Sequence, residues 1–404
     1  MSTRALPLPA TLSRAPTRSV GAALLPIMAI AFTAFLITGL AMPVLPLYVH
    51  LGLGLDTTVV GAVAGSQFVA ALGSRLWAGH YADTRGAKRA TVIGLVGAAA
   101  AGLLYLLSLR FVATPALAVA ILLPGRALLG GAESFMITGA VSWGLARTGR
   151  AHTGTTIAWI GAAMWGAFAL GAPLGSALYA AAGFGAIALA TAVLPLGTLL
   201  LVAALRPDAP QARGRVALAR VLRAVWLPGS GMALACLAYG GLTTFITLLF
   251  AARDWRPEWP GVTAFAGAFI VARVLFGRLP DRIGGARVAL AAAVVEAAGL
   301  ALIWQAPTAA VAMVGAALAG FGWSLVYPGF GQEAVRRAPA ESRGLATGAF
   351  TAFLDLALGI TSPALGLVAS RAGIGAVFQV SALVVLGAAA IALRLVRAPS
   401  TAGA

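Results

Sequence analysis

The residues that could do chemistry in this chain are a few charges set among apolar neighbours. Arg126 and Glu133 fall within PGRALLGGAESFMITGA, seven residues apart. That is nearly two helical turns, so both side chains share one helix face. Asp355 stands in AFLDLALGI and Glu296 in AAAVVEAAG. A charge inside a hydrocarbon layer is costly, and such residues mark substrate or proton pathways by default. Arg126, Glu133 and Asp355 are therefore the candidate cavity and proton-coupling residues. Arg126 and Glu133 have a competing role, as a structural ion pair locking helices together, and Glu296 is expected to be structural. Arg75 and Arg273 are expected to serve structure or gating. Among polar and aromatic residues, Gln67, Trp165, Trp323 and Tyr327 are the candidate substrate contacts.

Other chemistries lack their residues. No His/Asp/Glu cluster marks a hydrolytic or metal site, and His50, His80 and His152 are scattered. Cys236 is the only cysteine, so it forms no intrachain disulfide and has no metal-site spacing. No G-x-x-x-x-G-K-[ST] segment is present to cradle a nucleotide. Neither an enzyme nor a cofactor is expected.

The elements that must position these residues are apolar helices. Of 404 residues, 60% are hydrophobic and 10% charged, and the mean hydropathy is +0.95. A soluble domain is about 45–50% apolar and about 25% charged, and one bilayer crossing takes roughly 20 apolar residues. Spans are predicted at 22–46, 58–80, 90–109, 115–145, 154–180, 184–205, 225–251, 260–279, 287–305, 308–334, 342–370 and 374–394. The expected fold is an all-α membrane protein with twelve transmembrane helices in two six-helix pseudo-symmetric bundles, both termini cytoplasmic. The domains follow: a cytosolic tail over 1–20, bundles over 21–205 and 225–396, a cytoplasmic linker over 206–224 and a short tail over 397–404. The linker holds Arg206, Arg213, Arg215, Arg220 and Arg223. Its part from Val216 to Val225 fits either a basic amphipathic helix on the membrane surface or a flexible connection.

Orientation comes from the basic residues, which collect in cytoplasmic loops. With both ends inside, 21 fall on that side, Arg4, Arg14, Arg18, Arg85, Arg147, Arg150 and Arg287 among them. Only Arg110, Arg253, Arg256 and Arg371 fall outside. The same bias accounts for the net charge of +17. No basic-aromatic patch points to nucleic acid. The expected partner on these grounds is the lipid bilayer.

Two segments repeat at a separation of 198 residues: Arg75, Gly79, Asp83, Gly86 and Arg89 align with Arg273, Gly277, Asp281, Gly284 and Arg287. Each follows the second span of its half. Internal symmetry of this kind is a mark of transporter folds. Gly79 is expected to permit close helix contact and Gly86 a tight turn. Asp83 ends a helix, where the dipole disfavours an anion, so a partner is expected in Arg85, Arg89 or a neighbouring helix N-terminus.

The first segment resembles the signature loop of the major facilitator superfamily, G-x-x-x-D-x-x-G-x-[RK]-[RK], here Gly79, Asp83, Gly86, Lys88 and Arg89. The likeness extends over nearly the whole chain in span number, halves and linker. It implies secondary transport, with Asp83 gating the cytoplasmic side through contacts between the halves. The second copy supplies Gly277, Asp281, Arg282 and Gly284 to the same role. Arg126 is similar to the family's fourth-span arginine, which faces the central cavity and is linked to proton coupling. The glutamine and glycine that usually follow are Leu129 and Gly130 here. Gly166, Gly171, Pro173 and Gly175 resemble the exporter pattern G-x-x-x-G-P-x-x-G-G, with Ala172 intervening before the proline. A related run, Gly359 to Gly366, lies in the eleventh span. The stretches 125–175 and 324–366 look like a bacterial branch loosely labelled arabinose or drug efflux permeases. The resemblance thus implies a proton-coupled antiporter exporting a small organic molecule, a monomer in a bacterial inner membrane whose partners are a small-molecule substrate and protons. The alternative is a proton symporter importing a small organic anion, with Arg126 as the anion's partner. A membrane-embedded enzyme or a sensor is the rival of another class.

Overall fold

The computed structural model describes residues 20–148, 153–206, 218–338 and 343–397. All but the innermost residue of each tail expected over 1–20 and 397–404, most of the linker, and Arg4, Arg14, Arg18, Arg150, His152, Arg213 and Arg215 lie outside the described residues. All regular structure among the described residues is helical. The elements are α1 (Val20–Ala41), α2 (Val44–Leu47), α3 (Thr57–Arg85), α4 (Ala87–Ser108), α5 (Pro115–Thr148), α6 (Thr153–Ala203), α7 (Leu218–Ala252), α8 (Pro260–Phe276), α9 (Leu279–Ile283), α10 (Gly285–Trp304), α11 (Ala309–Arg337), α12 (Arg343–Ala372) and α13 (Ile374–Arg397).

Among the described residues, ten stretches are long and apolar enough to cross a membrane. The outward faces of the helices carry Leu25, Trp77, Leu103, Leu200, Val274 and Leu383, all exposed. Such a surface suits lipid, since a soluble protein rarely exposes large contiguous apolar patches. Inside, Tyr105, Trp143, Phe168, Phe245, Phe265 and Phe350 are fully buried.

Helices lie at the places of the expected spans, ten stretches among the described residues having the length and apolarity of a crossing; α8 falls short at 17 residues, and three further places differ. The first span breaks after Ala41 and resumes as α2 and a π-helical turn over Tyr48–Gly52. Pro43 and Pro46 explain the break, because each removes a backbone donor. The 51-residue α6 is two helices in one, with Gly183 at φ +66° and Ala182 also off helical geometry, at the turn expected there. The segment from Leu218 is continuous with α7 rather than a separate surface helix; no glycine or proline interrupts it before Pro228.

The sequence repeat is also a repeat of backbone geometry. Gly86 has φ 97° and ψ 146°, and Gly284 has φ 93° and ψ 141°. The Gly86 N–H donates to Ala82 O and that of Gly284 to Pro280 O. Ala90 N–H then donates to Gly86 O, and Val288 N–H to Gly284 O. Each glycine closes one helix and opens the next at a positive φ that L side chains rarely adopt. The copies differ before the turn. α3 runs unbroken to Arg85, whereas α8 stops at Phe276 and α9 follows. Pro280 stands where the first copy has Ala82, and its ring clashes with the carbonyl four residues back.

Within the first half α1 packs on α5 and α6, and α4 on α5 and α6. Within the second, α7 packs on α11, α12 and α13, and α10 on α11 and α13. The halves meet along α3 and α12, and again where α6 meets α8 and α2 meets α7. The α3–α12 seam is close. A β-carbon at Gly61 would overlap the Ser362 carbonyl oxygen, and Thr57 Oγ1 donates to Gly366 O at 3.1 Å. At Gly79, by contrast, nothing lies within 4 Å of such a β-carbon. The close contact expected there is absent, because α3 and α12 meet nearer the Thr57 end.

Candidate functional site

Glu133 lies on α5 and faces α3. Gln67 Nε2 donates to its Oε2 at 2.7 Å and also reaches Thr38 Oγ1 of α1 at 3.4 Å. Gln67 is 1% exposed, and its Oε1 has no partner among the described residues. The crossing is tight because Gly130 sits over the Gln67 backbone, where a β-carbon would collide with the carbonyl oxygen. Gln67, expected as a substrate contact, is therefore first of all the hydrogen-bond partner of Glu133.

Arg126, one face up the same helix, turns elsewhere. Its Nη1 lies 3.4 Å from Tyr105 Oη of α4, and its Nε has no partner among the described residues. Arg126 and Glu133 do not form an ion pair among the described residues, so the structural lock considered for them is not made. Their helix places both, but Tyr105 and Gln67 on two different helices draw them apart.

Asp355 is bound across the halves. Arg75 Nη2 of α3 donates to Asp355 Oδ1 at 3.0 Å, and Arg75 Nε lies 2.5 Å from Oδ2. The Asp355 side chain is 5% exposed and that of Arg75 is 34% exposed. A two-pronged guanidinium–carboxylate contact fixes direction as well as distance, so this pair ties α3 to α12. Glu296 is fully buried in α10 against Gly322 of α11, with neither carboxylate oxygen partnered among the described residues. It lies apart from the others, in the interior of the second half.

Aromatic rings bridge the same region. Trp165 of α6 stacks on Phe269 of α8, with centroids 3.8 Å apart. Phe168 of α6 stacks on Tyr239 of α7 at 6.1 Å, and Tyr239 stacks on Trp323 of α11 at 5.4 Å. Trp165 and Trp323 thus join an aromatic bridge between the halves, with Tyr239 as its middle member. Tyr239 was not expected from sequence; its segment, ACLAYGGLTT, offers only a lone aromatic in an apolar run. Tyr327 Oη is 3.3 Å from Thr351 Oγ1, and the ring borders a cavity of about 710 Å³.

The loop motifs are held in unlike ways. Lys88 Nζ donates to Ala203 O at 3.0 Å and Leu205 O at 2.5 Å, placing a cation at the C-terminal end of α6, where the dipole favours it. Asp83 makes no ion pair among the described residues, so the partner expected for it is absent; Arg85 and Arg89 are exposed. In the second copy Asp281 accepts from Gln332 Nε2 at 3.0 Å, while Arg282 is exposed. Glu333, which sequence reasoning passed over, is the better-held acid there. It accepts from Arg336 at 2.7 Å and from Ala286 N–H at 3.3 Å, and Arg337 Nε lies at 3.7 Å. Its place near a helix end reads in sequence as ordinary solvated charge.

In the glycine–proline run of α6, Gly171 and Gly175 press on the α1 backbone at Gly39 and Leu40, whereas Gly166 has open space around it. Pro173 lies inside the helix between them. The run is therefore a packing seam between α6 and α1.

The model of the Major Facilitator Superfamily matches residues 27–256 and 230–404. An uncharacterized MFS-type transporter of Salmonella typhimurium, STM4428, is 43% identical over 370 residues, covering 91% of this chain and 95% of the relative. An uncharacterized MFS-type transporter of Pseudomonas aeruginosa, PA1993, is 41% identical over 384 residues, covering 91% of each chain. Among solved structures, the nucleoside transporter NupG is similar with a TM-score of 0.75 at 16% identity, over 92% of this chain and 99% of that one. A bacterial homolog of the human lysosomal transporter Spinster, inward-facing and unoccupied, is similar with a TM-score of 0.67 at 14% identity, over 94% of this chain and 97% of that one.

Proposed function

The chain belongs to the Major Facilitator Superfamily, a family of multi-pass membrane transporters of small molecules, and from that premise we propose that it is a proton-coupled exporter working by alternating access. The observation that carries the coupling is the setting of Glu133: a carboxyl inside a span whose hydrogen-bond partner is the neutral Gln67. A proton reaching Glu133 has no salt bridge to displace, whereas one reaching Asp355 must compete with Arg75. Glu133 is accordingly the proton carrier, and the Arg75–Asp355 pair is the tie between the halves that conformational change must break. Arg126 is free of any carboxylate among the described residues, its guanidinium reaching the Tyr105 hydroxyl.

Twelve crossings are supported by the ten long helices, the kink at Gly183 that divides α6, and the 17 apolar residues of α8. Placement of both ends in the cytoplasm of a bacterial inner membrane rests on the basic residues around Gly86, Arg206 and Gly284. The direction, export, rests on the likeness of Gly166, Gly171, Pro173 and Gly175 to the exporter pattern. The repeat loops with Asp83 and Asp281 are the gates of the cytoplasmic side, in contact only when that side closes.

Inverted membrane vesicles with an acid interior test this reading. Candidate organic compounds that draw protons out of the vesicles as they enter identify the antiport. Glu133→Gln is expected to lose proton-driven uptake while still exchanging labelled for unlabelled substrate. Full proton-driven uptake by that variant would sink the assignment.

A further inference from the structure

One cavity in the second half holds a cation that no carboxylate among the described residues engages. The cavity, of about 710 Å³, lies among α8, α9, the start of α10, α11 and α12 and is bordered by Arg273, Asp281, Tyr327, Glu333, Arg336 and Phe350. Its two acids are already engaged: Glu333 by Arg336, Arg337 and the Ala286 N–H, and Asp281 by Gln332. Arg273 has no carboxylate partner and no hydrogen-bond acceptor among the described residues. Its guanidinium rests only over the Phe269 ring, 5.3 Å from the centroid.

The repeat makes the vacancy informative. Arg75, which stands 198 residues earlier, faces the other half and finds Asp355 there. Arg273 occupies the matching place on α8, whose neighbour in the other half is α6. Over the whole of Thr153–Ala203, α6 contains no Asp or Glu. Among the described residues, Arg75 thus has an acid from the other half and Arg273 has none. A half-buried guanidinium facing a cavity whose two acids are already engaged is suited to an acid brought by a ligand, and its planar fork matches carboxylate and phosphate-like groups two-pronged. The cavity falls within the roughly 300–1,000 Å³ of small-molecule sites. Tyr327 and Phe350, with ring centroids 5.4 Å apart, provide an apolar wall beside the cation.

We propose that this cavity binds a small organic anion, with Arg273 engaging its carboxylate, sulfonate or phosphonate and Tyr327 and Phe350 packing on its apolar body. That such an anion is the transported substrate rests on the transporter reading above; that the site binds anions does not.

The test is binding to the purified full chain in nanodiscs of neutral phosphatidylcholine. Benzoate, naphthalene-2-sulfonate and phenylphosphonate are titrated beside neutral benzamide and cationic benzylamine. At least one anion is expected to bind about tenfold or more tighter than benzamide, a difference of the size expected for a charge-assisted contact. Arg273→Gln is expected to abolish that preference, and Arg273→Lys to keep part of it. Repeating the titration in discs containing phosphatidylglycerol separates the sources. Weakening of anion binding to the wild type, but not to Arg273→Gln, assigns the site to a lipid headgroup; unchanged binding assigns it to a soluble anion. No preference for any anion over benzamide, or a preference that survives in a folded Arg273→Gln, would overturn the proposal. Loss of anion binding with Glu133-dependent proton flux intact would remove this inference and leave the transporter reading standing.

Discussion

At the scale of single residues, the charges divide by the company they keep. Asp355 has a cation from the other half, Glu133 has a neutral amide, and Arg126 has a phenol. Asp355→Asn should therefore strand Arg75, and Arg75→Gln should strand Asp355. Breaking a fully buried pair costs about 3–5 kcal/mol. With Arg75 one-third exposed, screening lowers this to roughly 1–3 kcal/mol. Thermal melting in detergent should show each single variant less stable, and the double exchange Arg75→Asp with Asp355→Arg should recover part of the loss; a double variant no better than the worse single one would refute the tie. Outside the spans, Asp56 caps α3 by accepting from Thr58 N–H at 2.7 Å. Its side-chain and backbone hydrogen bonds to Thr58 hold its carboxyl below the ordinary value of 3.8. The cap is complete above that value and is lost as the pH falls through the lowered one. Amide exchange at Thr58 should accordingly quicken on acidification and in Asp56→Ala, whose cost is about 1 kcal/mol.

Helices and their turns were the most legible part of the chain. The 198-residue repeat could be read because Gly86 and Gly284 need their positive φ within a few residues of sequence. The kink at Gly183 and the apolar spans were legible for the same local reason. Side-chain partners were not. Gln67 and Glu133 are 66 residues apart, and Arg75 and Asp355 are 280 apart; such pairs are set by helix crossings, which apolar periodicity does not encode. Gly79 shows the limit from the other side: its motif suggested contact, and its surroundings are open. These differences predict a contrast among glycines. Gly86→Ala and Gly284→Ala should each cost about 1–3 kcal/mol from backbone strain. Gly61→Val should cost a similar 1–3 kcal/mol by overpacking against α12, whereas Gly79→Ala should leave the melting temperature unchanged. Equal effects at Gly61 and Gly79 would contradict the seam.

For the whole molecule, the contacts between halves are uneven along their length. On the α3–α12 seam they begin at Thr58 Oγ1 and Ser370 Oγ, 3.3 Å apart, continue through Thr57 with Gly366 and Gly61 with Ser362, and reach Arg75 with Asp355. Beyond Arg75 the seam opens: Gly79 meets nothing and Asp83 has no ion pair among the described residues. The halves are thus closed at the Thr58 end and parted at the Asp83 end. Under alternating access the same seam must open at Thr58 when the other end closes. Cysteines at positions 58 and 370, in a chain whose own Cys236 is replaced by alanine, measure this directly. The double variant should cross-link on mild oxidation, because the two side chains already touch. The cross-link should abolish transport, and reduction should restore it. Compounds that favour closure at Asp83 should slow the cross-linking by about the factor by which they shift the balance of the two states. Undiminished transport by the cross-linked chain would mean that the Thr58 end need not open, and alternating access by separation of α3 from α12 would fail.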